Sequence, residues 1–169
     1  MKCLSEYRVA VFDCDGVILD SNQVKSKAFA SALEHEDPLL VERFVDYHKR
    51  NGGVSRYIKF EHFYKVIKNQ PSFNADKEAA LLKYASITQS ELLLCKEVPG
   101  VRDVLQRLKE AQVPCYVTSG GAELEVQKVL GKRGLASFFT GIFGSPITKK
   151  QHLQALKEEQ KLIGPGIYF

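Results

Sequence analysis

Near its N-terminus the chain reads Val9-Ala10-Val11-Phe12-Asp13-Cys14-Asp15-Gly16-Val17-Ile18-Leu19-Asp20. The apolar, β-branched and aromatic run that ends at Phe12 is typical of a short strand buried on both faces. Because side chains alternate along an extended chain, Asp13 and Asp15 point to the same side, and Gly16 then lets the chain turn away. The stretch predicts two carboxylates at the carboxyl end of a buried strand, where open α/β sheets bind ligands.

The chemistry of this carboxylate pair has several interpretations. Mg²⁺ keeps several waters and takes only a couple of protein oxygens, so two close carboxylates suit it. A carboxylate can also attack phosphorus to form an aspartyl-phosphate while a second carboxyl group transfers the leaving-group proton. A simple turn with an Asx cap is equally compatible with the residues, since Asp and Gly are common in turns. The motif alone leaves these alternatives open.

The composition is that of an ordinary globular chain. The 169 residues correspond to one domain, or to one core with a modest insertion, and 44% are hydrophobic and 26% charged. The net charge of +4 is spread along the chain, so we expect neither a nucleic-acid partner nor a membrane partner. The absence of a signal-peptide pattern or a long apolar segment favours the cytoplasm. The cysteines lack zinc or C-x-x-C spacing and are expected to be small core residues: Cys3, Cys14, Cys95 and Cys115.

Helical periodicity without a convincing strand extends from Ser21 to about Lys96. Four helices are predicted there, and Asn51-Gly52-Gly53 ends the second of them. Their predicted N-terminal caps are Ser21 or Asn22, then Asp37 with Pro38 at the first position, then Ser55, then Asn74.

The pattern changes after Val98-Pro99-Gly100, where helices and strands alternate as in a parallel sheet covered by helices. Strands are predicted at 113–118, 141–143 and 166–169, and helices at 101–108, 123–130 and 148–161. Because parallel strands need crossover connections, the helical region is predicted to be an insertion into a doubly wound parallel sheet, above Asp13.

Polar residues also end the second and third predicted strands. Thr118-Ser119-Gly120-Gly121 offers hydroxyls, backbone amides and a helix N-terminus to an anion, although a capped turn explains the same residues. After the third strand, Lys149 and Lys150 fall in the first turn of a helix and oppose its macrodipole, at a cost of ~0.3–1 kcal/mol each. A nearby anion would offset that cost.

Together these motifs resemble those of the haloacid dehalogenase-like hydrolases. The matching segments are Phe12-Asp13-Cys14-Asp15-Gly16-Val17, Val117-Thr118-Ser119-Gly120 and Ser145-Pro146-Ile147-Thr148-Lys149. Their order and spacing also fit, and the resemblance covers nearly the whole chain. It implies an α/β core at residues 1–20 and 99–169 and a helical cap domain at residues 21–98. A signalling receiver domain also places Asp, Ser or Thr, and Lys at strand ends, but a helical insertion after the first strand does not suit it.

The resemblance also implies roles for individual residues. Asp13 would be the nucleophile and Asp15 the general acid and base, with the Asp13 carboxylate and the Asp15 backbone carbonyl on Mg²⁺. Ser119, with the neighbouring Gly120, would bind the phosphoryl oxygens. Lys149 would neutralise charge on the transferring group, and Lys150 would do so if the turn is one residue longer.

The segment 51–56 resembles the specificity loop of that family. Gly52 and Gly53 would then approach the substrate. Arg56 could contact a substrate anion, although an exposed arginine on a helix is the simpler interpretation.

The function that the resemblance implies is Mg²⁺-dependent hydrolysis of a small phosphorylated metabolite through an aspartyl-phosphate. A phosphosugar mutase is the first alternative, since the phosphoryl group can be passed back to a sugar. The second alternative is a chain with little or no activity, because the fourth family motif, Gly-Asp with another acidic residue, is expected directly after Ile167-Tyr168-Phe169, where the sequence stops. We also expect this last segment to pair beside the first strand. The identity of the substrate and the oligomeric state are left open.

Overall fold

The computed structural model describes residues 6–169 and contains a four-stranded sheet. The strands are β1 (Val9–Phe12), β2 (Cys115–Ala122), β3 (Gly141–Ser145) and β4 (Gly166–Tyr168). Their spatial order is β3-β2-β1-β4, and every neighbouring pair is parallel. The predicted doubly wound α/β fold is therefore confirmed, and β4 lies beside β1 as expected.

Within residues 6–169, seven α-helices connect or cover these strands. Four follow β1: α1 (Asn22–Ala32), α2 (Pro38–Arg50), α3 (Arg56–His62), which continues into a π-helical turn (Phe63–Ile67), and α4 (Asn74–Leu94). The others are α5 (Val101–Glu110), α6 (Glu123–Lys132) and α7 (Lys149–Glu158), and a 3-10 turn (Ala136–Phe138) precedes β3. No helix within residues 6–169 is long and apolar enough to cross a membrane.

The first strand is buried on both faces, which explains its continuous apolar run. Ala10 and Phe12 lie in one cluster with apolar residues of α5 and α6. Val9 and Val11 face the opposite side, where they pack with Leu156 of α7. Helices on both faces thus fix the direction of β1 and with it the position of its carboxyl end.

Helices α1 to α4 have a hydrophobic cluster of their own, separate from the one under the sheet. The Phe29 ring lies at its centre, with centroids 5.4 Å from Phe44, 5.3 Å from Phe60 and 4.2 Å from Tyr84. We call residues 22–94 the insertion. Its aromatic cluster ties all four of its helices together, because the rings come from α1, α2, α3 and α4 in turn.

The observed N-terminal caps of the helices agree only in part with those predicted from the sequence. Asp37 and Ser55 cap α2 and α3 through bonds from the backbone amides of Leu39 and Ile58. The prediction for Asn74 is wrong, because α4 begins at Asn74 and Phe73 occupies the cap position.

Ser21 does precede α1, but the prediction that a side chain caps this helix is wrong, because the Ser21 hydroxyl donates to Asp15 instead.

Two further predictions concern burial and strand length. Cys14 and Cys115 are buried thiols as predicted, Cys95 is only partly buried, and Cys3 lies outside the described residues. Strand β2 extends to Ala122, beyond its predicted end at position 118, with a register shift against β3 between Thr118 and Ala122. The residues expected in a turn therefore form the irregular end of a strand.

Candidate active site

The carboxyl end of β1 opens onto a cavity of about 330 Å³. It is lined by Asp13, Asp15, Asn22, Ser26, His48, Lys49, Gly52 and Gly53. The two carboxylates thus share one cavity with residues of α1, α2 and the loop after α2. Gly16 allows the chain to turn away after the two carboxylates. Its φ of +75° suits glycine, and a Cβ there would collide with the side-chain amide nitrogen of Asn22.

Asp13 is fixed at both carboxylate oxygens. Its Oδ1 accepts a hydrogen bond of 2.7 Å from the Cys14 amide, and its Oδ2 lies 2.6 Å from the Lys149 ammonium. Lys149 is the first residue of α7, which begins with a capping box between Thr148 and Gln151. The structure therefore brings the predicted nucleophile and the predicted phosphate-binding lysine together, while Lys150 is exposed.

Asp15 is held by two residues that the sequence analysis did not assign to the site. Lys25 Nζ donates to its Oδ2 at 2.5 Å, and the Ser21 hydroxyl donates to its Oδ1 at 2.6 Å. Burial alone would raise the pKa of Asp15, but the Lys25 charge and the hydrogen bonds from Lys25 and Ser21 outweigh burial and lower it. Asp15 is therefore an ionised carboxylate in this arrangement. The spacing of four residues from Ser21 to Lys25 places both on one helix face, but it does not indicate that this face lies over Asp15.

The end of β2 supplies the predicted hydroxyl. Ser119 is only 1% exposed, and its Oγ accepts a bond of 3.0 Å from the Gly121 amide. Ser119 and Gly120 share a second cavity, of about 310 Å³, with Lys149 and Ser145. The Ser145 hydroxyl is buried and has no hydrogen-bond partner within residues 6–169. An unpaired buried hydroxyl beside a lysine is a suitable ligand for an anion, and Ser145 was missed as a candidate.

The loop between α2 and α3 separates these two cavities. Gly53 has φ +77°, and a Cβ there would come within 3.3 Å of the Lys149 side chain. A Cβ on Gly120 would collide with the Gly53 carbonyl. The backbone of the insertion thus touches the core directly over the predicted phosphate-binding residues, and both glycines are needed for this close approach.

Arg56 does not match the expectation of an exposed side chain. It is 5% exposed, its Nη1 donates to Glu125 Oε1 at 2.9 Å, and its Nη2 donates to Oε2. The guanidinium also lies 4.7 Å from the centroid of the Tyr84 ring. The simpler interpretation, an exposed arginine, is wrong, because this side chain links α3 of the insertion to α6 of the core. The contact of Arg56 with a substrate anion stays a prediction.

A second buried cation lies one turn further along α3. Lys59 is 2% exposed, and its ammonium lies 2.8 Å from Nδ1 of His48. Nε2 of the same ring lies 3.2 Å from the Ser26 hydroxyl. Burial and the nearby Lys59 charge lower the pKa of His48 to about 4, and burial and the Lys25 charge lower the pKa of Lys59 to about 8. At neutral pH the imidazole is uncharged, and we infer that it accepts from Lys59 and donates to Ser26.

The arrangement of oxygens suits Mg²⁺ only in combination with water and substrate. No group of three or more His, Cys, Asp or Glu residues is placed to hold a metal within the described range 6–169. Asp15 and Leu19 are paired by two backbone hydrogen bonds, from the Leu19 amide to the Cys14 carbonyl and from the Gly16 amide to the Leu19 carbonyl. The Asp15 carbonyl takes part in neither of these bonds. One carboxylate from Asp13 and one carbonyl from Asp15 match a cation that keeps several waters and binds substrate phosphates.

Comparisons with known proteins agree with this architecture. A predicted phosphoglycolate phosphatase from Haemophilus somnus is 15% identical, with 96% of this chain and 76% of that chain covered and a TM-score of 0.73. A predicted phosphatase from Clostridium acetobutylicum is 18% identical, with 96% and 74% covered and a TM-score of 0.72. A beta-phosphoglucomutase from Clostridium difficile is 19% identical, with 89% and 70% covered and a TM-score of 0.70. At these identities the likeness concerns the fold, and no curated protein matches the chain.

The family assignment comes from a match to the sequence itself. The model of the haloacid dehalogenase-like hydrolases matches residues 7–162, which include β1, the whole insertion, β2, β3 and α7. The match therefore spans all three strand ends that carry the candidate site. The chain belongs to the haloacid dehalogenase-like hydrolases.

Proposed function

We propose that this protein is a Mg²⁺-dependent phosphatase that hydrolyses a small phosphorylated metabolite through an aspartyl-phosphate on Asp13. The observation that supports this most strongly is the 2.6 Å contact between Lys149 and Asp13, a residue that lines the cavity of about 330 Å³. A carboxylate beside a lysine pairs a nucleophile with a charge that can stabilise the transferring phosphoryl group. Buried hydroxyls of Ser119 and Ser145 lie beside that lysine and would bind phosphoryl oxygens.

The proposed reaction has two displacement steps. Asp13 attacks phosphorus, and the bond to the ester oxygen breaks. The leaving alkoxide takes a proton from Asp15, which must first bind that proton from solvent, because Lys25 and Ser21 keep its carboxylate ionised in the free site. Water then attacks the aspartyl-phosphate, gives its proton to the Asp15 carboxylate, and inorganic phosphate leaves. Mg²⁺, bound by Asp13 and the Asp15 carbonyl, would neutralise charge on the phosphoryl oxygens. Lys25 and Ser21 hold Asp15 in the ionised form that the second step requires.

We further propose that the insertion, with boundaries near residues 21 and 98, acts as a cap that opens to admit substrate. The support is the position of Gly53, which lies against Gly120 and Lys149 and divides the site into two cavities. Opening would join these cavities, and closing would exclude water during reaction. Small-angle scattering should show a more extended particle without ligand than with Mg²⁺ and a phosphate analogue. Identical curves in both conditions would contradict a moving cap.

The compartment that we propose is the cytoplasm. Cys14, Cys95 and Cys115 are free thiols, which fits a reducing environment.

The direct test is phosphate release from small phosphomonoesters with and without Mg²⁺. Asp13→Asn should abolish release, and Asp15→Asn should slow it by about 10²–10⁴-fold, since proton transfer typically contributes that much. Asp20→Asn is the matched control, because Asp20 is an exposed carboxylate at the end of the same stretch. Full activity of Asp13→Asn would reject the proposal. Conversion of a sugar phosphate into its isomer without phosphate release would instead identify a mutase.

A further inference from the structure

The insertion contains a buried cation, Lys59, that forms no ion pair with a carboxylate of residues 6–169. Lys59 is 2% exposed and takes part in none of the ion pairs formed within residues 6–169. Its polar neighbour is His48, whose imidazole is neutral at pH 7. With a pKa of about 8, the Lys59 amine is still mostly protonated at that pH. Because isolating an ammonium from water is costly, this position favours the arrival of an anion.

The surroundings of Lys59 confirm the excess of positive charge. It lines a small cavity together with Asp15, Lys25, His48 and Arg56. Lys25 is paired with Asp15, and Arg56 is paired with Glu125 of α6. Lys25 and Arg56 therefore each have a carboxylate partner, whereas Lys59 has none among residues 6–169.

The cavity has room for a small group. Its volume is about 50 Å³, whereas a single water needs roughly 10–15 Å³, so a group of a few heavy atoms such as a carboxylate fits. It shares Asp15, Asn22, His48, Gly52 and Gly53 with the larger cavity above Asp13. A substrate whose phosphoryl group lies at Asp13 can thus extend a second group toward Lys59.

We propose that Lys59, oriented by His48, binds a carboxylate on the leaving group, so that the substrates are phosphomonoesters that also carry a carboxylate. This inference rests on the proposed function and adds a substrate class and a specificity residue to it. The chain His48–Ser26–Asn22 supports the assignment, because the Ser26 hydroxyl donates to the Asn22 carbonyl at 2.9 Å and so fixes the imidazole that holds the ammonium.

The test measures binding of compounds that cannot be hydrolysed, so it does not depend on turnover. Titration calorimetry with Mg²⁺ compares phosphonoacetate with ethylphosphonate, and phosphonopropionate with propylphosphonate. In each pair only the first compound has a carboxylate. The two pairs differ in chain length, because the distance from the phosphonate at Asp13 to Lys59 decides which carboxylate can reach the ammonium. For at least one pair the wild type should prefer the carboxylate by about tenfold or more. Equal affinities within both pairs, or no binding of any compound, would overturn the inference.

Substitutions then assign the preference to Lys59. Lys59→Met and Lys59→Gln should each bring the ratio close to one while the alkylphosphonate affinity is unchanged. Lys65→Met is the matched control, because Lys65 lies on the same stretch but is exposed, and it should keep the full preference. Retained preference in the Lys59 variants would overturn the inference, as would stronger binding of ethylenediphosphonate than of phosphonopropionate.

Thermal unfolding separates recognition from structural support. If Lys59 serves a ligand, Lys59→Met removes an uncompensated buried charge and should keep or raise the melting temperature. A clear fall would mean that Lys59 supports the fold, and would contradict the inference. The two proposals also fail in different ways. A wild-type protein that hydrolyses phosphomonoesters but shows no preference for the carboxylate rejects only the substrate class, whereas selective binding without phosphate release rejects only the hydrolysis.

Discussion

The bidentate pair between Arg56 and Glu125 is expected to hold the insertion closed over the core. The loss of stability on breaking it should depend strongly on which of the two residues is replaced. The Arg56 side chain is 5% exposed, whereas that of Glu125 is 30% exposed. Glu125→Gln therefore leaves a guanidinium buried without a counter-charge, while Arg56→Met leaves a carboxylate that water can reach. The two single substitutions break the same contact but leave different partners behind.

The magnitudes follow from that difference in burial. Breaking a buried ion pair at one partner typically costs about 3–5 kcal/mol, so we expect Glu125→Gln to lower the free energy of unfolding by about 3 kcal/mol. Arg56→Met should cost only about 1–2 kcal/mol, because the Met side chain refills much of the apolar volume beside Tyr84. The double variant leaves neither charge buried and should be about as stable as Arg56→Met. The coupling free energy between the two sites then equals the cost of Glu125→Gln, about 3 kcal/mol.

Urea unfolding followed by circular dichroism measures these free energies, provided that all variants unfold with the same m-value. The exposed pair of Arg50 and Asp46, whose side chains are 80% and 53% exposed, is the control and should show no measurable coupling. If Arg56→Met and Glu125→Gln prove additive, or if Glu125→Gln is the milder change, then the pair does not act as a buried link.

Two further predictions concern charge at the candidate site. Lys149→Ala should slow phosphate release by about 10²-fold or more, because Lys149 contacts Asp13. Lys150→Ala should change the rate by no more than about twofold. Equal effects of the two substitutions in steady-state kinetics would contradict the assignment of Lys149. His48 has a folded-state pKa of about 4 against an ordinary value of 6.5, so between these values the unfolded state binds the proton first and stability falls as the pH falls. Calorimetric melting should show a loss of at most about 3 kcal/mol over that window, and His48→Gln should remove that part of the slope; an unchanged slope would refute it.

The parts of the site that lie at strand ends could be predicted from the sequence. An apolar run followed by Asp13 and Asp15 fixes where β1 ends, and the parallel arrangement of the sheet places Ser119 and Lys149 at the same edge. These inferences need only local patterns and the rule that parallel strands end together. They also explain why Lys149 at the start of α7 tolerates the unfavourable macrodipole: the Asp13 carboxylate lies beside it.

The parts that depend on how the insertion packs against the core could not be predicted. Lysines and arginines on helices are usually exposed, so nothing in the periodicity distinguishes buried Lys59 and Arg56 from a surface residue such as Lys65. The partner of Arg56 is 69 residues away in sequence, on a different structural unit. Lys25 was missed for a related reason, because its ion pair with Asp15 arises only once α1 lies over the end of β1.

In the proposed mechanism, Asp13 forms a covalent bond to phosphorus. The most direct measurement is acid quenching of the protein during turnover, reduction with borohydride, and peptide mapping by mass spectrometry, which converts an aspartyl-phosphate into homoserine at the modified position. We predict homoserine at position 13, only with Mg²⁺ and substrate present, and none in Asp13→Asn. Phosphate release at full rate with residue 13 unmodified, or the modification at Asp15 instead, would contradict the proposed mechanism.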